Sequence, residues 1–517
     1  MKKRGPKLGK RALAAVEQSN ASLGDLNDLS ELMDSAAFDE ELGDRWRTSD
    51  LSKALRFYQS AFEAYTRAIK VSEQQLSLSG VNVQLVSQLD RIECYYNALR
   101  LLLVVYNQYY SSDCVDISQL GSAPEVLEKG TNCVLQDIDR VISTHENAIL
   151  VLCEKVSTDL LFNTALAYAE VVESLDSESK INDAVIRALA LLQQVFGKQT
   201  QELRKYLDSA NASETDLSAG QISTSQNDTQ FTQSNTAQPP DIMETEIAFF
   251  NLWRAYVENE SIASQNIVSS EFQRSLLEVD AVVDDLSVHY PTSDTAIPVN
   301  DTQRNEYLIA REFARSSLCD IQDAFTQWDN PALPDTAERY MLAADAIQML
   351  IDRNCLCANR NSGSVDVFWA ALCKMNAYLK KSQELLLAVN VEMKKTAASD
   401  QNFGQGTIIL QICTVYIARA DVDQQRSRLD HPEGVTHREV LSRNAIAFLK
   451  NAVALSKQSG GLRETAMEKL QKKKRRVEAQ VRLLMIEGNS QEAIASQLEN
   501  NIWQEEYLYC QSCWFYN

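Results

Sequence analysis

Two cysteine pairs carry the most conspicuous chemistry in this chain: Cys355-Leu356-Cys357 and Cys510-Gln511-Ser512-Cys513. Tetrahedral zinc wants about four soft ligands on tight turns. The second pair has suitable spacing, but no His or Cys pair lies near it in sequence. A redox couple would need a thioredoxin-like strand–helix–strand setting, and none is legible. The four histidines, His145, His289, His431 and His437, form neither an H-E-x-x-H motif nor any other two-His helical spacing. His431 and His437 flank a Pro-Glu-Gly turn and are expected to face solvent. A nucleophile relay joins residues distant in sequence, so spacing alone neither builds nor excludes one. No phosphate-cradling glycine loop and no kinase-type H-R-D is present, and carboxylate pairs such as Asp284-Asp285 are ordinary in an acidic helical chain. The reading is a non-enzyme with no catalytic, cofactor-binding or metal-ligating residue.

Two basic runs stand out instead. The head carries Lys2, Lys3, Arg4, Lys7, Lys10 and Arg11, kept extended by Gly5, Pro6 and Gly9. A second run, Lys472, Lys473, Lys474, Arg475 and Arg476, follows Ala466 and Leu470 at helical spacing, with Lys469 and Arg482 flanking it. Both fit nuclear-targeting segments, and the second also fits an RNA-contacting patch. The competing reading is a solvated tail and a solvated helix face.

These residues must be positioned by helices. Gly (16) and Pro (9) are scarce in 517 residues, where ordinary proteins hold roughly 7% and about 5%. From Asp50 to Gln75 apolar residues recur as a stripe at helical spacing. Ala54, Tyr58 and Ala61 mark it, and Tyr65 and Ala68 follow in register. Small residues admit a second helix closely, and the aromatic fills the groove between. Leu161, Ala165 and Tyr168 repeat the spacing, as do Ala445, Leu449 and Ala452. Periodicity predicts helices over 83–109, 125–154, 159–175, 181–207, 243–260, 269–288, 303–328, 334–353, 365–393, 407–429, 440–458, 461–486 and 490–503.

These nine residues resemble the packing positions of the tetratricopeptide repeat superfamily. The resemblance implies an all-α fold, an α-solenoid of antiparallel helix pairs whose concave face binds a peptide or partner domain. It covers about a third of the chain; the terminal Pro and the even 34-residue period of that family are missing. Some members clamp a peptide carboxylate with Lys, Asn and Arg. Here Asn163 has no spaced Asn and no Lys-x3-Arg pair after it, so the clamp is not carried over.

The organisation expected is a disordered basic-then-acidic tail over 1–44, with a short helix near Leu29 to Met33, then a helical repeat region over 45–207. A disordered linker over 208–241, rich in Ser, Thr, Gln, Asn and Asp, fits either an insertion within one solenoid or a joint between two domains. A second helical repeat region over 242–503 and an aromatic, cysteine-rich tail over 504–517 complete it. That tail could cap the last helix or dock in a partner. Eleven scattered cysteines fit reduced thiols in the cytosol or nucleus. No stretch approaches the ~20 apolar residues of a membrane span, and no apolar secretory segment follows the basic head. The net charge of −21 disfavours generic nucleic-acid or anionic-membrane binding. The expectation is a nuclear and cytoplasmic protein-interaction module, an adaptor or assembly chaperone for a protein partner, with a basic client permitted by charge. Its alternative is a scaffold subunit of an RNA-processing or ribosome-assembly complex touching nucleic acid through 472–476.

Overall fold

In a computed structural model the described residues are 28–78, 84–111, 114–174, 178–217, 237–259, 267–289, 299–353, 362–396, 404–461, 463–498 and 502–516. All regular structure among them is helical. The chain divides into two compact units, Met1–Ala167 and Tyr168–Asn517.

The first unit is built from α1 (Leu29–Arg47), α2 (Leu51–Leu78), α3 (Gln84–Tyr106), the short α4 (Ala123–Leu127), α5 (Ile138–Leu152) and most of α6 (Thr158–Ser174). Helix α1 packs on α2, α2 on α3, and α3 on α5. Helix α1 corrects the expected tail, since 29–44 lie in a 19-residue helix. Asp28 caps it by accepting from the Ser30 amide at 3.0 Å, and Arg45 and Arg47 meet the dipole in its last turn. Hydrophobic patterning alone under-reads α1 because its inner face is partly acidic. Asp39 accepts from Ser60, Glu40 from Tyr65 and Arg100, and Asp44 from Tyr58. The acids expected to be solvated are thus seated against α2 and α3. Gly43 completes the contact: a Cβ there would lie 2.4 Å from the Tyr58 ring.

The helix expected over 125–154 is broken. Gly130 turns the backbone at φ +59°, and α5 restarts at the Asp137 cap, which accepts from the Arg140 amide at 2.9 Å. Gln59 of α2 anchors the intervening loop, accepting from the Val134 amide and donating to the Asn132 carbonyl.

The second unit holds α7 (Glu178–Leu217), α8 (Pro239–Glu258), α9 (Ile267–His289), α10 (Asp301–Ser316), α11 (Ile321–Trp328), α12 (Ala337–Arg353), α13 (Ser362–Thr396), α14 (Gln405–Arg428), α15 (Pro432–Ser456), α16 (Ala466–Ile486), α17 (Gln491–Gln497) and α18 (Ile502–Ser512). From α12 to α16 each helix packs on its successor, as in a helical-repeat stack. Lengths range from the 40 residues of α7 to the 7 of α17, so the helices follow no even period.

Within the expected linker, α7 continues to Leu217 and Pro239-Pro240 open α8 as its first residues, where a missing amide proton costs nothing. Residues 218–236 lie outside the described residues. Phe196 of α7 meets Phe249 of α8 edge-on at 6.2 Å, and Thr245 donates to Gln199 at 2.8 Å, so α7 and α8 share one core across that segment. The helix expected over 303–328 is interrupted where Asp320 caps α11.

The expected tail over 504–517 is the other correction. Helix α18 and the turn after it bury Trp503, Tyr507, Cys510, Phe515 and Tyr516 against Val477 and Val481 of α16. No helix among the described residues is long and apolar enough to cross a membrane.

Candidate protein-interaction groove

The nine residues at repeat spacing are all interior. Ala54, Tyr58, Ala61, Ala445, Leu449 and Ala452 have no exposed surface, and Leu161, Ala165 and Tyr168 retain a few per cent. Ala445, Leu449 and Ala452 of α15 interlock with Ile409, Cys413, Ile417 and Ala420 of α14 and with Ala479 of α16. They make helices pack; they do not present a surface.

The basic head, Lys2 through Arg11, lies outside the described residues. The run at 472–476 sits in α16, with Lys472 buried and Lys473, Lys474, Arg475 and Arg476 half-buried. Lys472 is 5% exposed, because it pairs with Glu464 and donates to the Gln458 carbonyl. Arg475 pairs with Glu478 at 2.6 Å. Lys472 is thereby withdrawn from the exposed face of that run.

Cys355 and Cys357 lie outside the described residues. Cys510 is fully buried, and burial pushes its thiol far above the ordinary range. His145 is interior, its Nδ1 donating to the Val141 carbonyl at 2.8 Å, and burial lowers it to about 4. His431 corrects the solvent-facing expectation. It caps α15, accepting from the Glu433 amide, and stacks on Trp369 at 4.6 Å. His437 is open, with 55% of its side chain exposed.

What sequence reading missed is a groove in the second unit, with a volume of about 350 Å³. Its walls follow from helical periodicity. On α12, Asp345, Gln348 and Asp352 stand at i, i+3 and i+7, one face of a helix. Helix α13 adds Phe368, Met375 and Leu379, and α14 adds Asp421, Val422 and Gln425. Tyr509 of α18 and Cys513, Trp514 and Phe515 of the turn after it close the groove.

Buried charge holds that closing segment. Arg482 of α16, with 7% of its side chain exposed, donates to Asp421 of α14 at 2.9 Å and also pairs with Glu506 of α18. Tyr516 donates its hydroxyl to the same Asp421. Gln424 donates to the Phe515 carbonyl at 3.2 Å. One arginine thus joins three helices, and its guanidinium also lies over the Tyr509 ring. Two acids beside it hold Arg482 well above its ordinary value despite burial.

With Asp421 committed internally, two groove carboxylates remain. Asp352 accepts from Gln348 at 2.8 Å, and burial raises it while that hydrogen bond opposes the rise. Asp345 has no hydrogen bond or ion pair among the described residues. It is open to solvent by area, yet surrounded by protein as densely as an interior group, which is what a concave wall produces. That enclosure, with Glu258 adding repulsion and Arg254 opposing it, pushes Asp345 up to about 6. Opposite, Gln425 is 5% exposed, and no described residue hydrogen-bonds its side-chain amide. Tyr509 and Trp514 show 55% and 38% of their surface, and Leu508 beside them 63%.

The groove therefore combines exposed rings, an amide without a described partner and two carboxylates that form no ion pair among the described residues. Nothing in it resembles a nucleophile and base in hydrogen-bond reach. No group of His, Cys, Asp and Glu suited to a metal ion occurs among the described residues. The i, i+3, i+7 pattern at 345–352 was readable, but 71 acidic residues hide two.

Comparison with known proteins finds a match over this region. Residues 329–513 match the family model described as the YNL193W C-terminal domain, a span running from just before α12 into the groove-closing segment. The chain is 23% identical over 519 residues to YNL193W of Saccharomyces cerevisiae, itself described as uncharacterized, covering 89% of each. Among solved structures it is similar to a circular tandem repeat protein with novel repeat topology. There the identity is 15%, the TM-score 0.22 and the coverage 93% of this chain and 95% of the other.

Proposed function

We propose that the protein is a non-enzymatic interaction module, an adaptor or assembly chaperone of tetratricopeptide-like construction, and that its α12–α14 groove takes a basic segment of a protein client. The observation that carries this reading is Asp345: a carboxylate enclosed in a groove wall, near a second acid, with no internal cation in contact. An incoming Lys or Arg supplies the missing charge, and Tyr509 and Trp514 supply rings for its aliphatic stem or its cation face. The −21 net charge steers such a client toward the molecule. Action in the nucleus and cytoplasm belongs to the same proposal, with Lys2, Lys3, Arg4, Lys7, Lys10 and Arg11 as the targeting segment.

The test is a paired affinity purification of the tagged full-length chain and its Asp345→Asn, Asp352→Asn double variant, read by quantitative mass spectrometry. Clients captured through the groove are expected to drop out of the variant sample and to carry basic segments. An identical partner set from both proteins would remove the groove from the function.

A further inference from the structure

We infer that the occupant of the groove is an extended segment of a partner protein in the polyproline II conformation, with Lys or Arg at every third position. This rests on the client reading above and specifies what the groove measures. Asp345 and Asp352 are seven residues apart on α12, so they lie on one side of the helix and ~10 Å apart along it. Polyproline II has three residues per turn and rises about 3.1 Å per residue, so residues i and i+3 project from one side ~9 Å apart. The two repeats match. A β-strand does not match, because residues three apart point to opposite faces. A helical ligand has the same rise at i and i+7, but its backbone groups are paired internally and would leave the Gln425 amide on the opposite wall unserved.

Two further features fit that backbone. Polyproline II leaves its amides and carbonyls without internal partners. Gln425, buried and with its amide free of any described partner, stands on the opposite wall where such a group could receive it. Tyr509 and Trp514 supply the aromatic lining against which extended, proline-rich segments dock.

The experiment measures fluorescence anisotropy of the full-length protein with labelled proline-based peptides holding two arginines. One peptide spaces the arginines by three positions, a second places them side by side, and a third replaces both with glutamate. The spacing-three peptide is expected to bind about tenfold tighter than the adjacent one, and the glutamate peptide not at all. Asp345→Asn, Asp352→Asn and Trp514→Ala, each confirmed folded by circular dichroism, are each expected to weaken the spacing-three peptide about tenfold. Equal binding of the two arginine peptides, abolished by the aspartate variants, would overturn the spacing inference and leave the basic-client reading standing. Failure of both arginine peptides would overturn both. A severalfold gain in affinity on deleting residues 1–11 would make the chain's own head the occupant and overturn the partner assignment.

Discussion

At the scale of single residues, the informative groups are charges that the fold has drawn in, Lys472 with a partner and Asp345 without one among the described residues. Lys472 has a partner: its ammonium and Glu464 are each 6% exposed. Removing one member leaves the other charge buried, so Lys472→Ala is expected to cost about 3–5 kcal/mol in denaturant unfolding. Lys473→Ala, on the half-buried side of the same helix, should cost far less. Asp345 is the reverse case. Its folded-state value of about 6 stands above the 3.8 of a free carboxyl, so the folded protein holds that proton more tightly than the unfolded chain. Stability from this group is therefore present at low pH and lost as pH rises through about 6. Asp345→Asn should leave the melting temperature at pH 7.5 unchanged or raised, while client-peptide binding falls. A lowered melting temperature would mean that the carboxylate is structural. A docked cation favours the ionised form, so wild-type affinity should fall as pH drops through about 6, against Glu258 and Arg254 of α8 and Gln348 and Asp352 of α12. A flat pH profile would remove Asp345 from the contact.

At the scale of elements, two helices expected as tails are folded parts of their units, and in each one contact is open to a single-residue test. Helix α1 lies against α2 through Gly43, where a Cβ would meet the Tyr58 ring at 2.4 Å. Gly43→Ala should therefore loosen α1 at a cost of about 1–3 kcal/mol, seen as faster hydrogen exchange across 29–47 with α14 to α16 unchanged. Equal exchange in both proteins would show that Tyr58 can step aside. Helix α18 and the turn after it are tied down through Arg482 and Tyr516, which meet on Asp421. Tyr516→Phe keeps the ring and loses one hydrogen bond to a charged group, a loss of about 1.5–3 kcal/mol. Exchange should quicken at 502–516, and affinity for a basic peptide should fall because Trp514 and Tyr509 lose their support. Unchanged affinity would detach the closing segment from binding.

At the scale of the whole molecule, the excess of acidic over basic residues sets the long-range field. Association with a basic peptide should slow steeply as salt rises from low to physiological strength, while dissociation from the groove changes little. A salt-independent association rate would mean that the net charge plays no part in steering. The sequence by itself determined that the chain is helical and where most helices run, because alanine–aromatic spacing and scarcity of glycine and proline are local properties. Ala54, Tyr58 and Ala61, and Ala445, Leu449 and Ala452, were legible as packing residues for that reason, and they are fully buried. Only the tertiary structure decided which charges are inside. Whether Glu40 is solvated or clasped by Arg100, whether Lys472 faces water or Glu464, and whether Trp514 hangs free or lines a groove depend on partners brought from elsewhere in the chain. Helical periodicity reports which side of one helix a residue occupies. It carries no information about what the neighbouring helix presents to that side, and in this protein that second surface makes the groove.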